Sequence, residues 1–105
     1  MLETFVFHEL RRQASVHDHD IRFHHFRDKD GVEVDLVLER GAREVAGVEV
    51  KAGATVTAAD FRGLRKLREG SGQRFIAGVV LYDGETMASF GKGLHAVPIA
   101  ELWTK

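Results

Sequence analysis

The chain has 105 residues, of which 44% are hydrophobic and 30% charged, and its net charge is −1. These values are typical of one small globular domain and exclude a disordered segment. The absence of cysteine excludes disulfides and thiolate metal sites and is consistent with a reducing setting. The longest apolar run, from Phe75 to Tyr82, is far shorter than the roughly 20 residues of a membrane helix. We therefore expect a cytoplasmic protein without membrane contact.

A first helix is predicted over about residues 2–14. One stripe of its helical wheel, drawn at about 100° per residue, comprises Leu2, Phe5, Val6 and Gln13. Glu9 lies in the middle of this apolar stripe. Because a lone ionised carboxylate would be costly to bury there, we expect Glu9 to face a polar pocket.

Three strands are predicted next, at residues 21–27, 32–39 and 44–51. The second and third alternate apolar and charged residues, and successive side chains of a strand point to opposite faces. On the second strand this alternation separates Val32, Val34, Leu36 and Leu38 from Glu33, Asp35, Val37 and Glu39. On the third it separates Ala46, Val48 and Val50 from Val45, Gly47, Glu49 and Lys51.

A hairpin between these two strands predicts a pair of opposed carboxylates. The register that places Arg40 opposite Glu44 also places Asp35 opposite Glu49. Directly opposed residues have Cβ atoms roughly 4.5–5.5 Å apart, and like charges there are destabilising unless something lies between them. A divalent cation such as Mg²⁺ takes oxygen ligands at about 2.0–2.1 Å and would relieve the repulsion. The alternative is a salt-bridge network without metal, in which Lys51 neutralises Glu33 and Glu49.

The second half of the chain predicts one more helix and a central strand. Thr57 is a candidate N-cap, with Asp60 completing a capping-box pattern. Phe61, Leu64 and Leu67 then recur at helical spacing until the Gly70-Ser71-Gly72 stop. The apolar run 75–82 lacks alternation, as expected of a strand covered on both faces.

Short outer strands are predicted at residues 87–90 and 95–97, and Pro98 confines its own segment to an edge or a strand end. The resulting order, α-β-β-β-α-β, predicts an α/β fold in which a central mixed sheet is flanked by helices. No linker or repeat divides the sequence, so residues 1–105 are expected to form a single domain.

The motif formed by Asp35 on one strand and Glu49-Val50-Lys51 on the next resembles that of the PD-(D/E)XK nuclease superfamily, with its restriction-endonuclease-like core. Nearly the whole chain also resembles the DUF4143 domain, the C-terminal domain of a large family of AAA+-type ATPases. The segments that carry this second resemblance are residues 2–10, 26–28, 31–35, 49–52 and 96–103.

The resemblance implies a Mg²⁺-dependent DNA endonuclease domain, with Mn²⁺ as a possible substitute. It implies that Asp35, Glu49 and the Val50 carbonyl hold the metal, and that Lys51 orients or helps to deprotonate the attacking water. Superfamily members related to archaeal Holliday-junction resolvases place a first-helix glutamate in the metal site. Glu9 would therefore bind the metal through water or a second ion.

Arg62, Arg65 and Lys66 on the second predicted helix are candidate DNA contacts, although the net charge argues against avid nucleic-acid binding. A solvated charged face is the alternative reading of these residues. The second function hypothesis is a non-catalytic nuclease-like module that mediates contacts for an AAA+-type ATPase. The non-catalytic hypothesis is supported by the second predicted helix, which has Asp60 and Arg62 where many active relatives carry Gln or Tyr.

Assembly is also suggested by apolar residues near the C-terminus that a monomer would leave uncovered. These residues are Met87, Phe90, Leu102 and Trp103. Related resolvases act as two-fold dimers, and a two-fold interface is the commonest way to bury such a surface. We expect a homodimer, with docking of an ATPase module on the same surface as the alternative.

Overall fold

The structure is a computed structural model that describes residues 21–103. Its six strands are β1 (Ile21–Arg27), β2 (Glu33–Arg40), β3 (Glu44–Lys51), β4 (Phe75–Tyr82), β5 (Ala88–Ser89) and β6 (Leu94–Pro98). They form one mixed sheet in the order β1-β2-β3-β4-β6-β5. The one α-helix of the described range is α1 (Arg62–Ser71), and 3-10 turns cover Ala58–Phe61, Gly72–Arg74 and Ile99–Trp103.

The predicted mixed α/β sheet is confirmed, and the strand bounds agree closely with the sequence prediction. The helix predicted over about residues 2–14, with Glu9, lies outside the described residues. The segment predicted at 95–97 as an outer strand is instead β6, an internal strand between β4 and β5. Pro98 ends this strand, as expected. Within residues 21–103 no helix combines the length and apolar character needed to span a bilayer.

Two short turns connect the antiparallel half of the sheet. Between β1 and β2, the Asp28 carboxylate accepts hydrogen bonds from the N–H groups of Asp30 and Val32, at 2.9 and 2.8 Å. Gly31 completes this turn at a φ of 83°, a value that favours glycine. Between β2 and β3, Arg40 pairs with Glu44 in the predicted register.

β4 pairs in parallel with β3 because α1 carries the chain across the sheet between them. β6 also pairs in parallel with β4, whereas β5 pairs antiparallel with β6 at the sheet edge. Lys51 at the end of β3 pairs with Tyr82 at the end of β4, so both strands end at the same edge of the sheet. The 3-10 turn Ala58–Phe61 begins at that edge with Thr57, and the predicted capping box with Asp60 is formed.

The core on the α1 side of the sheet is built on the predicted apolar stripe. Phe61, Leu64 and Leu67 are buried there against β-strand side chains. The strand residues of this layer are Val34, Val37, Val45, Val80, Tyr82, Leu94 and Ala96. Burial of a side chain such as Phe61 or Leu64 stabilises a fold by about 1.5–3 kcal/mol. A smaller layer on the opposite face contains Leu36, Val48, Val50, Leu81 and Ile99.

The strict alternation predicted for β2 is wrong, because a β-bulge interrupts it. Val37 pairs with His24, but Val34 pairs with Phe26, so β2 has one residue more than β1 over this stretch. Val34 therefore joins Val37 in the core beneath α1, whereas Leu36 faces the other layer. Between these two pairs β2 has Asp35 and Leu36, whereas β1 has only His25. The candidate aspartate therefore lies in the bulge.

The helix lies close to the strands at Gly63. A Cβ atom added at Gly63 would lie 2.2 Å from the backbone oxygen of Glu33 and 3.2 Å from Oε2 of Glu49. The first distance is far below any van der Waals contact, and its partner is backbone that cannot rotate away. The absence of a side chain at Gly63 thus lets α1 pack directly on β2 and beside Glu49.

We expect Gly63→Ala to reduce the free energy of unfolding by about 3 kcal/mol, because overpacking against backbone forces a shift of the helix or the strand. The matched control is Gly70→Ala, which lies in the same helix with nothing within 4 Å of the added Cβ. This control should increase stability by about 0.5–1 kcal/mol through helix propensity. Urea unfolding of both variants measures the difference, and equal stabilities would contradict the close approach.

Candidate functional site

Asp35 and Glu49 lie immediately beyond the last paired residues of β2 and β3, Leu36 and Val48. Each carboxylate accepts a hydrogen bond from a backbone N–H of the other strand. Asp35 N donates to Oε1 of Glu49 at 3.3 Å, and Val50 N donates to Oδ2 of Asp35 at 3.0 Å. Side-chain oxygens thus take the place of ladder carbonyls at this point, and they bring the two carboxylates together as the sequence register predicts.

The pKa of Glu49 is raised from its ordinary value of 4.5 to about 7, with burial as the largest cause and the neighbouring charge of Asp35 as the second. A hydrogen bond between the two carboxyl side chains adds to the effect. Glu49 therefore gains or loses its proton near neutral pH. A proton held by the pair relieves the same repulsion that a bound cation would relieve.

Lys51 follows Glu49 on the α1 face of β3, and its ammonium group contacts Asp60. Nζ of Lys51 lies 2.7 Å from Oδ2 of Asp60, and both side chains are partly buried. The same carboxylate oxygen accepts a hydrogen bond from Thr57 N at 2.8 Å. The hydrogen bond from Lys51 lowers the pKa of Asp60, with the bond from Thr57 as the second cause. Asp60 is accordingly ionised at neutral pH.

The local cluster on the α1 side therefore contains three carboxyl groups and one ammonium group. Its members are Asp35, Glu49, Asp60 and Lys51. The charge of Asp60 also acts on Glu49 and raises its pKa slightly. The negative groups of this cluster outnumber its positive group, which favours retention of the proton on Glu49.

The remaining predicted site residues fall into three groups. Val50 is buried, and its N–H bonds Asp35. Arg62, Arg65 and Lys66 all lie on α1, and Arg65 donates to the carbonyl of Ala58 at 3.0 Å. Glu9 lies outside the described residues.

No group of three or more His, Asp or Glu side chains suited to a metal ion occurs within residues 21–103. The described part of the predicted set thus contributes two carboxylates, Asp35 and Glu49.

Sequence reasoning missed two features of this region. The Thr57–Asp60 capping pattern was identified, but nothing in it signalled that Asp60 also binds Lys51. Glu33 was expected to pair with Lys51 in the alternative without metal. Instead, Oε1 of Glu33 lies 3.1 Å from Nε2 of His25, and its Oε2 lies 4.0 Å from Nε of Arg27. The bulge explains this change, because it reverses the side of the sheet on which Glu33 lies.

The family model for a domain of unknown function, DUF4143, matches residues 1–102. The chain belongs to the DUF4143 family. The match includes every residue of the cluster and extends over the segment that precedes β1. No curated protein matches the sequence. Membership of the DUF4143 family therefore places the cluster within a domain that the family shares.

The raised pKa of Glu49 makes the stability of this DUF4143 domain depend on pH. The folded state holds a proton on Glu49 between pH 4.5, where the unfolded chain releases it, and about 7. The free energy of unfolding should therefore fall as pH rises through this window and level off above it. Glu49→Gln keeps the shape of the protonated side chain and should remove this dependence.

In chelator at pH 8, Glu49→Gln should be more stable than the wild type by about 1 kcal/mol, since it removes one of two opposed like charges. Asp35→Asn should act in the same direction. Glu69→Gln, at an exposed position of α1, is the matched control and should change little. Thermal unfolding at pH 5 and pH 8 measures the effect; a lower melting temperature for Glu49→Gln at pH 8 would indicate a stabilising structural salt bridge instead.

Proposed function

We propose that this domain is a divalent-metal-dependent DNA endonuclease of the PD-(D/E)XK type. The observation that carries the proposal is the pair of carboxylates at Asp35 and Glu49, half-buried on neighbouring strands, with Lys51 two residues after Glu49. The order β1-β2-β3-β4-β6-β5, with α1 between β3 and β4, is compatible with a restriction-endonuclease-like core. The position of Asp35 in a β-bulge also supports the proposal, because bulges are enriched beside active sites.

The donor atoms of the pair suit Mg²⁺ or Mn²⁺. Both ions prefer oxygen ligands, and Mg²⁺ is commonly bound through one or two carboxylates together with waters and substrate phosphates. Asp35 and Glu49 would supply these carboxylates, and the Val50 carbonyl and Glu9 are the further ligands that the resemblance implies. Burial is the largest cause of the raised pKa of Glu49 and repulsion by Asp35 the second; a cation would relieve this repulsion, so binding should be coupled to loss of the Glu49 proton.

In this proposal the bound ion would stabilise charge on the scissile phosphate and activate a water molecule. Hydrogen bonds from backbone N–H groups hold the carboxylates of Asp35 and Glu49 in place. The two carboxylates would thereby fix the position of the ion. Lys51 orients the attacking water and stabilises negative charge that develops on the phosphate oxygens. Arg62, Arg65 and Lys66 on α1 would contact neighbouring phosphates of the DNA.

A non-catalytic module that docks on an AAA+-type ATPase is the second candidate, favoured by the contact between Lys51 and Asp60. An ammonium group already neutralised by a carboxylate at 2.7 Å is less available to a phosphate. Of the apolar residues expected to form a docking or homodimer surface, Phe90 stacks on Phe61 with ring centroids 4.7 Å apart. Met87, in contrast, is 62% exposed.

Calorimetric titration tests the metal site. We expect the wild type to bind Mn²⁺, and Asp35→Ala to bind it at least about 10-fold more weakly, because one of the two described carboxylate ligands is lost. Asp30→Ala removes an exposed carboxylate from the β1–β2 turn and serves as the matched control. Equal binding by wild type and Asp35→Ala would contradict the site.

DNA cleavage tests the activity. Branched, single-stranded and linear DNA should be offered with Mg²⁺ or Mn²⁺, and the products resolved on gels. Lys51→Ala should reduce the rate by about 10²-fold or more, as expected for loss of a group that acts on the reacting water. Lys92→Ala, an exposed lysine of the loop before β6, is the control. Metal binding without cleavage of any substrate would favour the non-catalytic module.

A further inference from the structure

Lys51 is the last residue of β3. A lysine side chain has several rotatable bonds and therefore many accessible rotamers. The structure restricts it to one direction, because Nζ lies 2.7 Å from Oδ2 of Asp60. The lysine side chain is 35% exposed and the aspartate 25%. A partly exposed ion pair contributes little to stability, so the main effect of this contact is on where the ammonium group lies.

Asp60 is itself fixed by the backbone of the turn that precedes it. Its Oδ2 accepts hydrogen bonds from Thr57 N at 2.8 Å and from Thr57 Oγ1 at 3.4 Å. The atom that binds Lys51 thus also caps the first turn of the helical segment. The position of the ammonium group is therefore tied to the same segment that, at Gly63, approaches Oε2 of Glu49.

We propose that Asp60 is a positioning residue for Lys51: its carboxylate fixes the ammonium group on the face of β3 that carries Glu49 and links it to the capped turn at Thr57. The catalytic consequence of this inference rests on the proposed nuclease function, whereas the restraint on Lys51 does not. Asp60 itself does not touch the reacting atoms in this arrangement. It acts by keeping one lysine rotamer in place.

The informative variant is Asp60→Asn. Asparagine has the same size, and its side-chain oxygen can still accept the hydrogen bond from Thr57 N, but it lacks the charge that binds Lys51. The matched control is Thr57→Ala, which removes the hydroxyl contact at 3.4 Å and leaves the Lys51–Asp60 pair and the backbone N–H intact. Thermal unfolding of both variants establishes that each is folded.

The first readout does not depend on activity. Trace labelling of lysine side chains with acetic anhydride, followed by mass spectrometry, reports how readily each ammonium group loses its proton and how accessible the resulting amine is. We expect Lys51 to be labelled about 5-fold faster in Asp60→Asn than in the wild type, because a charge-assisted hydrogen bond is lost. Lys29 and Lys92, both exposed, serve as internal references, and Thr57→Ala should leave Lys51 labelling unchanged. Equal Lys51 labelling in Asp60→Asn and wild type would overturn the proposal.

The second readout is metal-dependent DNA cleavage. Asp60→Asn should reduce kcat by about 10-fold with KM little changed, since the lysine loses its orientation and not its charge. Asp60→Glu, which keeps the charge on a longer side chain, should restore part of the loss.

A kcat equal to wild type despite faster labelling would overturn the catalytic role of the restraint. If the wild type cleaves no DNA, the nuclease proposal fails, and the labelling result alone decides whether Asp60 positions Lys51.

Discussion

The site depends on the reciprocal hydrogen bonds between β2 and β3 at Asp35 and Glu49. Each carboxylate occupies the place of a ladder carbonyl and accepts an N–H of the other strand. This exchange keeps the sheet together where its regular pairing ends, and it also holds two acidic groups away from bulk water. The raised pKa of Glu49 follows directly, because desolvation and a neighbouring negative charge both penalise the ionised form. The contact between Asp35 and Glu49 that joins the two strands is therefore also a cause of the raised pKa of Glu49.

The segment from Thr57 to Gly63 completes the site from the helical side. Its turn supplies Asp60 for Lys51, and Gly63 lets the helix lie against the Glu33 carbonyl and the Glu49 carboxylate. The three carboxyl groups of this region outnumber its one ammonium group, which contacts Asp60, and this leaves an excess of negative charge. A proton on Glu49 satisfies this excess in the isolated chain, and a divalent cation would satisfy it in the proposed enzyme. The non-catalytic candidate requires only the proton.

Much of this arrangement was accessible from the sequence. The Arg40–Glu44 register, the common face of Glu49 and Lys51, and the buried stripe at Phe61, Leu64 and Leu67 were predicted from the spacing of residues. The bulge at Asp35 could not be predicted, because neither glycine nor proline marks it and because bulges depend on how neighbouring strands pack. The Lys51–Asp60 contact was also missed, since it joins residues on different elements whose distance depends on the tertiary packing of α1. β6 was predicted as an outer strand because its short apolar pattern does not reveal that β5 pairs beyond it.

The reciprocal bonding at Asp35 and Glu49 has a spectroscopic consequence. Most amide protons of a sheet point at carbonyl oxygens, whose charge does not vary, but those of Asp35 and Val50 point at carboxylates. Their chemical shifts and exchange rates therefore respond to the ionisation state of the pair and to any ion that displaces its proton. The backbone thus carries two natural reporters at the centre of the candidate site, which a nitrogen-15 spectrum can follow without a substrate or an introduced label.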